Sequence, residues 1–212
     1  MLLTIPAAIG LIILAEPIIA LIYQHGRFTA TATGRTAEAL RFYAIGLVGY
    51  SAVKVLAPAF YAINKRHLPM VVSLLSILVN FALNWFLTLH LGWGHQGLAL
   101  STSLVAITNF LFLFFMMRRY ADGMETGVML TTIAKLAVAG AVLAGICFAA
   151  QFLFFATGAP IAIVVRLIEM LVTIAIGAAA FFGAAYLLRV TEVHDVAELV
   201  RRRFGRGPTI DD

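Results

Sequence analysis

Pro69-Met70-Val71-Val72-Ser73-Leu74-Leu75-Ser76-Ile77-Leu78-Val79-Asn80-Phe81-Ala82-Leu83-Asn84-Trp85-Phe86-Leu87-Thr88-Leu89-His90-Leu91 runs without one Asp, Glu, Lys or Arg. A bilayer core of about 30 Å takes about 20 helical residues to cross, so this stretch reads as a spanning helix. Five further segments meet that length: Leu2–Tyr23, Ala37–Ile63, Gly97–Met117, Leu130–Ala156 and Ile161–Leu188. None alternates in polarity with period two, as a lipid-facing barrel strand must. The expected fold is all-α, a polytopic bundle of six transmembrane helices over residues 1–189. An amphipathic basic tail is expected over residues 190–212.

Composition agrees. The 212 residues are 62% hydrophobic and 12% charged, with a mean hydropathy of +1.00. A soluble domain carries about 25% charged residues to cover its surface. Disorder and a free-standing nucleic-acid binder are excluded on the same ground. The single Cys147 rules out a disulfide framework.

The excess of five positive charges reports topology. The side of the membrane that holds the start of the first span (side A) receives Lys65, Arg66, Arg118, Arg119, Arg189, Arg201, Arg202, Arg203 and Arg206. The opposite side B receives Arg27 and Arg35, with Arg41 and Arg166 just inside span ends. The positive-inside rule places side A, and both termini, in the cytoplasm. In the tail, Val193, Val196, Val200 and Phe204 form one helical stripe, and the neighbouring arginines suit an anionic leaflet.

Polar residues inside the spans mark candidate sites, since each is costly in lipid. Lys54 lies deep in the second span, beside Ser51 and four residues before Pro58. Pro58 cannot donate to the carbonyl of residue 54, so a bend and a water-filled cavity are expected there. Asn80 and Asn84 share a face of the third span, and Ser101, Thr102, Ser103, Thr108 and Asn109 make the fourth polar. Their bland reading is interhelical or back-bonded hydrogen bonding. Glu38 with Arg41 and Arg166 with Glu169 read as local i,i+3 pairs, and Glu16, beside Pro17, as reaching a wet cavity. The last two spans carry Gly140, Ala144, Gly177 and Gly183 in small-residue faces. No cluster of acids, bases or metal ligands is gathered at one membrane face, so an enzyme is not expected.

Several segments carry a resemblance. Leu21-Ile22-Tyr23-Gln24-His25-Gly26-Arg27-Phe28-Thr29, Phe42-Tyr43-Ala44-Ile45-Gly46-Leu47 and Val53-Lys54-Val55-Leu56-Ala57-Pro58-Ala59-Phe60-Tyr61-Ala62, with Asn80, Asn84 and Gly97-Leu98-Ala99-Leu100-Ser101, resemble the MurJ/MviN family. Those are lipid II flippases of the multidrug/oligosaccharidyl-lipid/polysaccharide (MOP) exporter superfamily, found in the bacterial inner membrane. The resemblance implies that the six spans correspond to family helices nine to fourteen. It implies transport of undecaprenyl-pyrophosphate-linked muropeptide from the inner to the outer leaflet by alternating access. It makes Lys54, Ser51, Asn80 and Asn84 the candidates for substrate binding, and the last two spans a groove for the lipid tail. Asn80, Asn84, Ser101 and Thr102 are the candidates for a sodium site, with Asn84 standing where some members have an acid. No other cofactor is implied; the coupling is to sodium or to the membrane potential.

The partners implied are lipid II, membrane lipids and the N-terminal lobe, on the same or a separate chain; nucleic acid is not among them. Two other readings stand beside this one: another superfamily exporter for a polysaccharide lipid or a drug, and a helix bundle that scaffolds without transporting.

Overall fold

The computed structural model describes residues 2–24, 26, 28–120, 126–155, 163–190 and 193. Among them every regular element is helical: α1 (Thr4–Ile13), α2 (Ala15–Tyr23), α3 (Ala30–Ala62), α4 (His67–Trp85), α5 (Gly94–Tyr120), α6 (Thr126–Ala150) and α7 (Ile163–Leu187). Single π-helical turns extend α4 over Phe86–His90 and α6 over Gln151–Phe155. Among the described residues five helices are long and apolar enough to cross a membrane, and α1 with α2, bent by 72°, makes a sixth if the pair is one broken span. The chain is a multi-pass membrane protein.

The first expected span, Leu2–Tyr23, is thus two helices joined at a bend. Pro17 has no N–H for the carbonyl of Ile13, four residues back, and so the helix breaks at Leu14. The broken turn does not lie open. Arg41 of α3 donates from Nε to the carbonyl oxygen of Ile12 at 3.2 Å, and its guanidinium lies 3.8 Å from the Glu16 carboxylate. One side chain thus satisfies a carbonyl of α1 and the first turn of α2.

The start of the second span is corrected. Residues 29–36 read as a Thr-rich loop, yet α3 begins at Ala30. Thr29 is its N-cap and accepts from the Ala32 N–H at 3.3 Å. The helix runs 33 residues, about 50 Å at 1.5 Å per residue, well beyond the hydrocarbon core. It continues unbroken through Pro58. It ends in a Schellman turn: Asn64 takes a left-handed φ of 58°, and Lys65 and Asn64 donate back to Phe60 and Tyr61. Arg189 closes α7 in the same way.

Close packing decides how the helices associate. Gly46 and Gly49 of α3 lie against Ser103 and Ala106 of α5 with no room for a side chain. Farther along, Phe60, Val72 and Leu113 join α3, α4 and α5 in one buried cluster. The largest cluster joins α1, α6 and α7 through Leu14, Leu143, Cys147 and Phe181, with Gly140 seated on Ile9 and Gly177 on Leu143. Val190 and Val193, at the base of the tail, are buried there too. The rest of the tail stripe and its arginines lie outside the described residues. Helix α4 packs mainly on α5 and turns Leu74, Ile77, Phe81 and Leu89 outward.

Candidate functional site

The i,i+4 spacing of Asn80 and Asn84 on α4 does bring them together: Asn84 donates from Nδ2 to Asn80 Oδ1 at 2.8 Å. On α5, the fully buried Ser101 hydroxyl donates to Asn84 Oδ1. The result is a polar chain Ser101–Asn84–Asn80 that ties the two helices. Thr102 stands apart: it is half-buried at most and bonds back to the Leu98 carbonyl of its own helix at 2.8 Å. Ser103 crosses instead to α3, donating to the carbonyl of Phe42.

Three of the four sodium candidates, Asn80, Asn84 and Ser101, sit in this set. It offers two neutral amides and one hydroxyl with no formal charge, and both amide oxygens already accept hydrogen bonds within the chain. Hard monovalent and divalent cations want several oxygens free to point inward, usually with a carboxylate.

Lys54 is exposed on α3. Ser51, one turn earlier, shares a 2.8 Å hydroxyl–hydroxyl bond with Thr4 of α1. Among the described residues no hydrogen bond or ion pair joins Lys54 or Ser51 to the Asn84 chain. The four substrate candidates therefore fall into two places, an exposed cation on α3 and an amide ladder between α4 and α5.

Glu38 and Arg41 take tertiary partners where local spacing suggested that they pair with each other. Glu38 accepts from the side-chain amide of Gln96, at the start of α5, while Arg41 turns to Glu16 and Ile12. Lys135 reaches the carbonyl of Arg189 at 3.2 Å and so caps the end of α7. The clamp on the broken helix and the Gly46–Gly49 seam are the features that the sequence pattern did not reveal. Gly46 and Gly49 are spaced i,i+3, which a search for i,i+4 small pairs passes over.

Comparisons with known proteins agree with this architecture. The family model described as "Lipid II flippase MurJ" matches residues 1–169. A probable lipid II flippase MurJ of Bdellovibrio bacteriovorus is 34% identical over 188 residues, 89% of this chain and 35% of that protein. One of Rickettsia prowazekii is 34% identical over 90% of this chain and 37% of its own length. The lipid II flippase MurJ of Burkholderia cenocepacia is 31% identical over 88% of this chain and 36% of its own length. A solved structure titled "Lipid II flippase MurJ, inward closed conformation" superposes with a TM-score of 0.62 at 25% identity, covering 85% of this chain and 36% of that one. The chain thus spans about a third of the length of these relatives, and it belongs to the lipid II flippase MurJ family.

Proposed function

We propose that this chain forms the C-terminal lobe of a transporter that carries lipid II, an undecaprenyl-pyrophosphate-linked muropeptide, from the inner to the outer leaflet of the bacterial inner membrane. The observation that carries the reading is the family match over residues 1–169. In this proposal residues 1–189 are the membrane lobe and residues 190–212 a cytoplasmic tail, with both termini in the cytoplasm. Lys54 supplies positive charge to the pyrophosphate headgroup, and the exposed apolar faces of α6 and α7, with Phe148, Phe152 and Phe154, accompany the lipid tail. The other lobe, on the same or a separate chain, rocks against this one in alternating access. The work is transport and not catalysis. Because Ser101, Asn84 and Asn80 satisfy one another, the membrane potential is the driving force proposed.

The test is complementation. The natural gene product that contains this chain is expressed in bacteria depleted of their own lipid II flippase, and outer-leaflet lipid II is read with a membrane-impermeant probe. Wild type restores growth and labelling, Lys54→Ala loses both at equal membrane abundance, and Lys54→Arg keeps them. Failure of the wild type to label would overturn the function; normal labelling by Lys54→Ala would overturn the residue's role.

A further inference from the structure

We propose that the side B rim holds a zwitterionic phospholipid headgroup, phosphoethanolamine in chemical class, between α2, the start of α3, the end of α6 and the start of α7. A cavity of about 480 Å³ lies there, within the roughly 300–1,000 Å³ of ordinary small-molecule sites. Glu16 and Gln24 line it from α2 and its end, Gln151 and Phe152 from the π-helical turn after α6, Phe148 from α6 and Arg166 from α7.

Two of the bundle's three irregularities, the break at Leu14 and the second π-helical turn, open onto this space. The break at Leu14 swings α2 away by 72°, and the π-helical turn carries Gln151 into the wall. Such turns often mark sites of function. The depth proposed is that of lipid headgroups: Ala15 packs with Ala37, the residue at which the sequence starts the second expected span.

The chemistry selects the occupant. The Arg166 guanidinium already makes a contact within the protein, and its planar fork of several N–H donors leaves others suited to a phosphate. The Glu16 side chain, 59% exposed and only 3.8 Å from its partner Arg41, keeps acceptor capacity for an ammonium group. The Gln24 and Gln151 amides can serve ester and phosphate oxygens. Phe148 and Phe152 are 61% and 79% exposed and offer an apolar wall to an acyl chain. A glycerol headgroup brings no ammonium to the acceptor lone pairs that Glu16 has left beside Arg41, and a choline has no N–H to donate to them.

Native mass spectrometry of the protein extracted from its own membranes tests this, after exposure to equal amounts of phosphatidylethanolamine, phosphatidylglycerol and phosphatidylcholine. Phosphatidylethanolamine is expected to be retained at least fivefold over either of the others. Arg166→Gln and Glu16→Gln are each expected to erase that preference, with helix content by circular dichroism unchanged. If either variant loses its fold, Gln151→Leu reads the same retention without touching a charge. Equal retention of all three lipids, no retained lipid, or an undiminished preference in the variants would overturn the site. Sensitivity to Arg166→Gln with none to Glu16→Gln, matched by capture of undecaprenyl pyrophosphate, would make it an anion site and overturn the zwitterion.

Discussion

Gly46 and Ser103 meet across the α3–α5 interface so closely that a Cβ at position 46 would lie 2.5 Å from Ser103 Oγ and 2.7 Å from its Cα. Replacing Gly46 with Ala therefore forces backbone against backbone and cannot be relieved by a rotamer. The expected cost is about 1–3 kcal/mol, the range for overpacking a tight interior. Gly34, also in α3, has nothing within 4 Å of its Cβ position, and Gly34→Ala is expected to stabilise by about 0.5–1 kcal/mol. Thermal unfolding in detergent, followed by tryptophan fluorescence, separates the two signs.

The Ser101–Asn84–Asn80 chain predicts a different response. Asn84→Ala leaves the Ser101 hydroxyl and the Asn80 amide without this partner and loosens α4 from α5. Interhelical bonds of this kind contribute about 0.6 kcal/mol on average and up to about 1.7. A loss of about that size is expected, with the wild-type unfolding temperature equal in sodium and potassium chloride. In Asn84→Asp, by contrast, the added charge is expected to make stability rise with sodium. A sodium-dependent wild type would instead place a cation at the amide ladder and overturn the proposed coupling to the membrane potential.

Arg41 is expected to hold the broken first span. Arg41→Met keeps much of the aliphatic stem but removes the bonds to the Ile12 carbonyl and the Glu16 carboxylate. Hydrogen bonds from charged groups contribute about 1.5–3 kcal/mol, so the amides of Leu14, Ala15, Glu16 and Ile18 are expected to exchange with solvent at least tenfold faster. Protection unchanged in this segment, measured by hydrogen exchange with mass spectrometry, would mean that the bend holds without the clamp.

Lys135 is expected to matter through the end of α7. Its ammonium meets the Arg189 carbonyl, beside a residue held at a left-handed φ of 53°. Lys135→Met is expected to cost about 1 kcal/mol and to increase proteolytic cutting after Arg189, where the Schellman turn frays. Arg189→Gly, which relieves the φ strain of about 1–2 kcal/mol, is expected to offset part of that loss in the double variant.

What could be read in advance followed from continuity of apolar sequence. The third span, expected at Pro69–Leu91, runs His67–His90, because an uncharged run has only one good solution in lipid. The Asn80–Asn84 pair was legible for a local reason, since a helix fixes which residues share a face. The start of α3 was not, because threonines 29–36 suit a loop and a capped helix equally until tertiary contacts choose. The partners of Glu38 and Arg41 were hidden in the same way: spacing offered each the other, and the fold gave them Gln96 and Glu16. Lys54 was conspicuous by its cost in lipid, but its distance from the amide ladder is a property of helix placement that no pattern within one helix records.

The length of α3 has a mechanical meaning. One unbroken helix of 33 residues is longer than the membrane is thick, so it can act as a rigid pointer pivoted near its Ala62 end. Tilting it by about 10° sweeps the tip at Ala30 through about 8 Å, taking 1.5 Å per residue for the arm. Arg41 sits partway along that arm with its grip on the first span, so the sweep is transmitted to α2 as leverage, and a small rotation at the foot becomes a wide displacement at the rim.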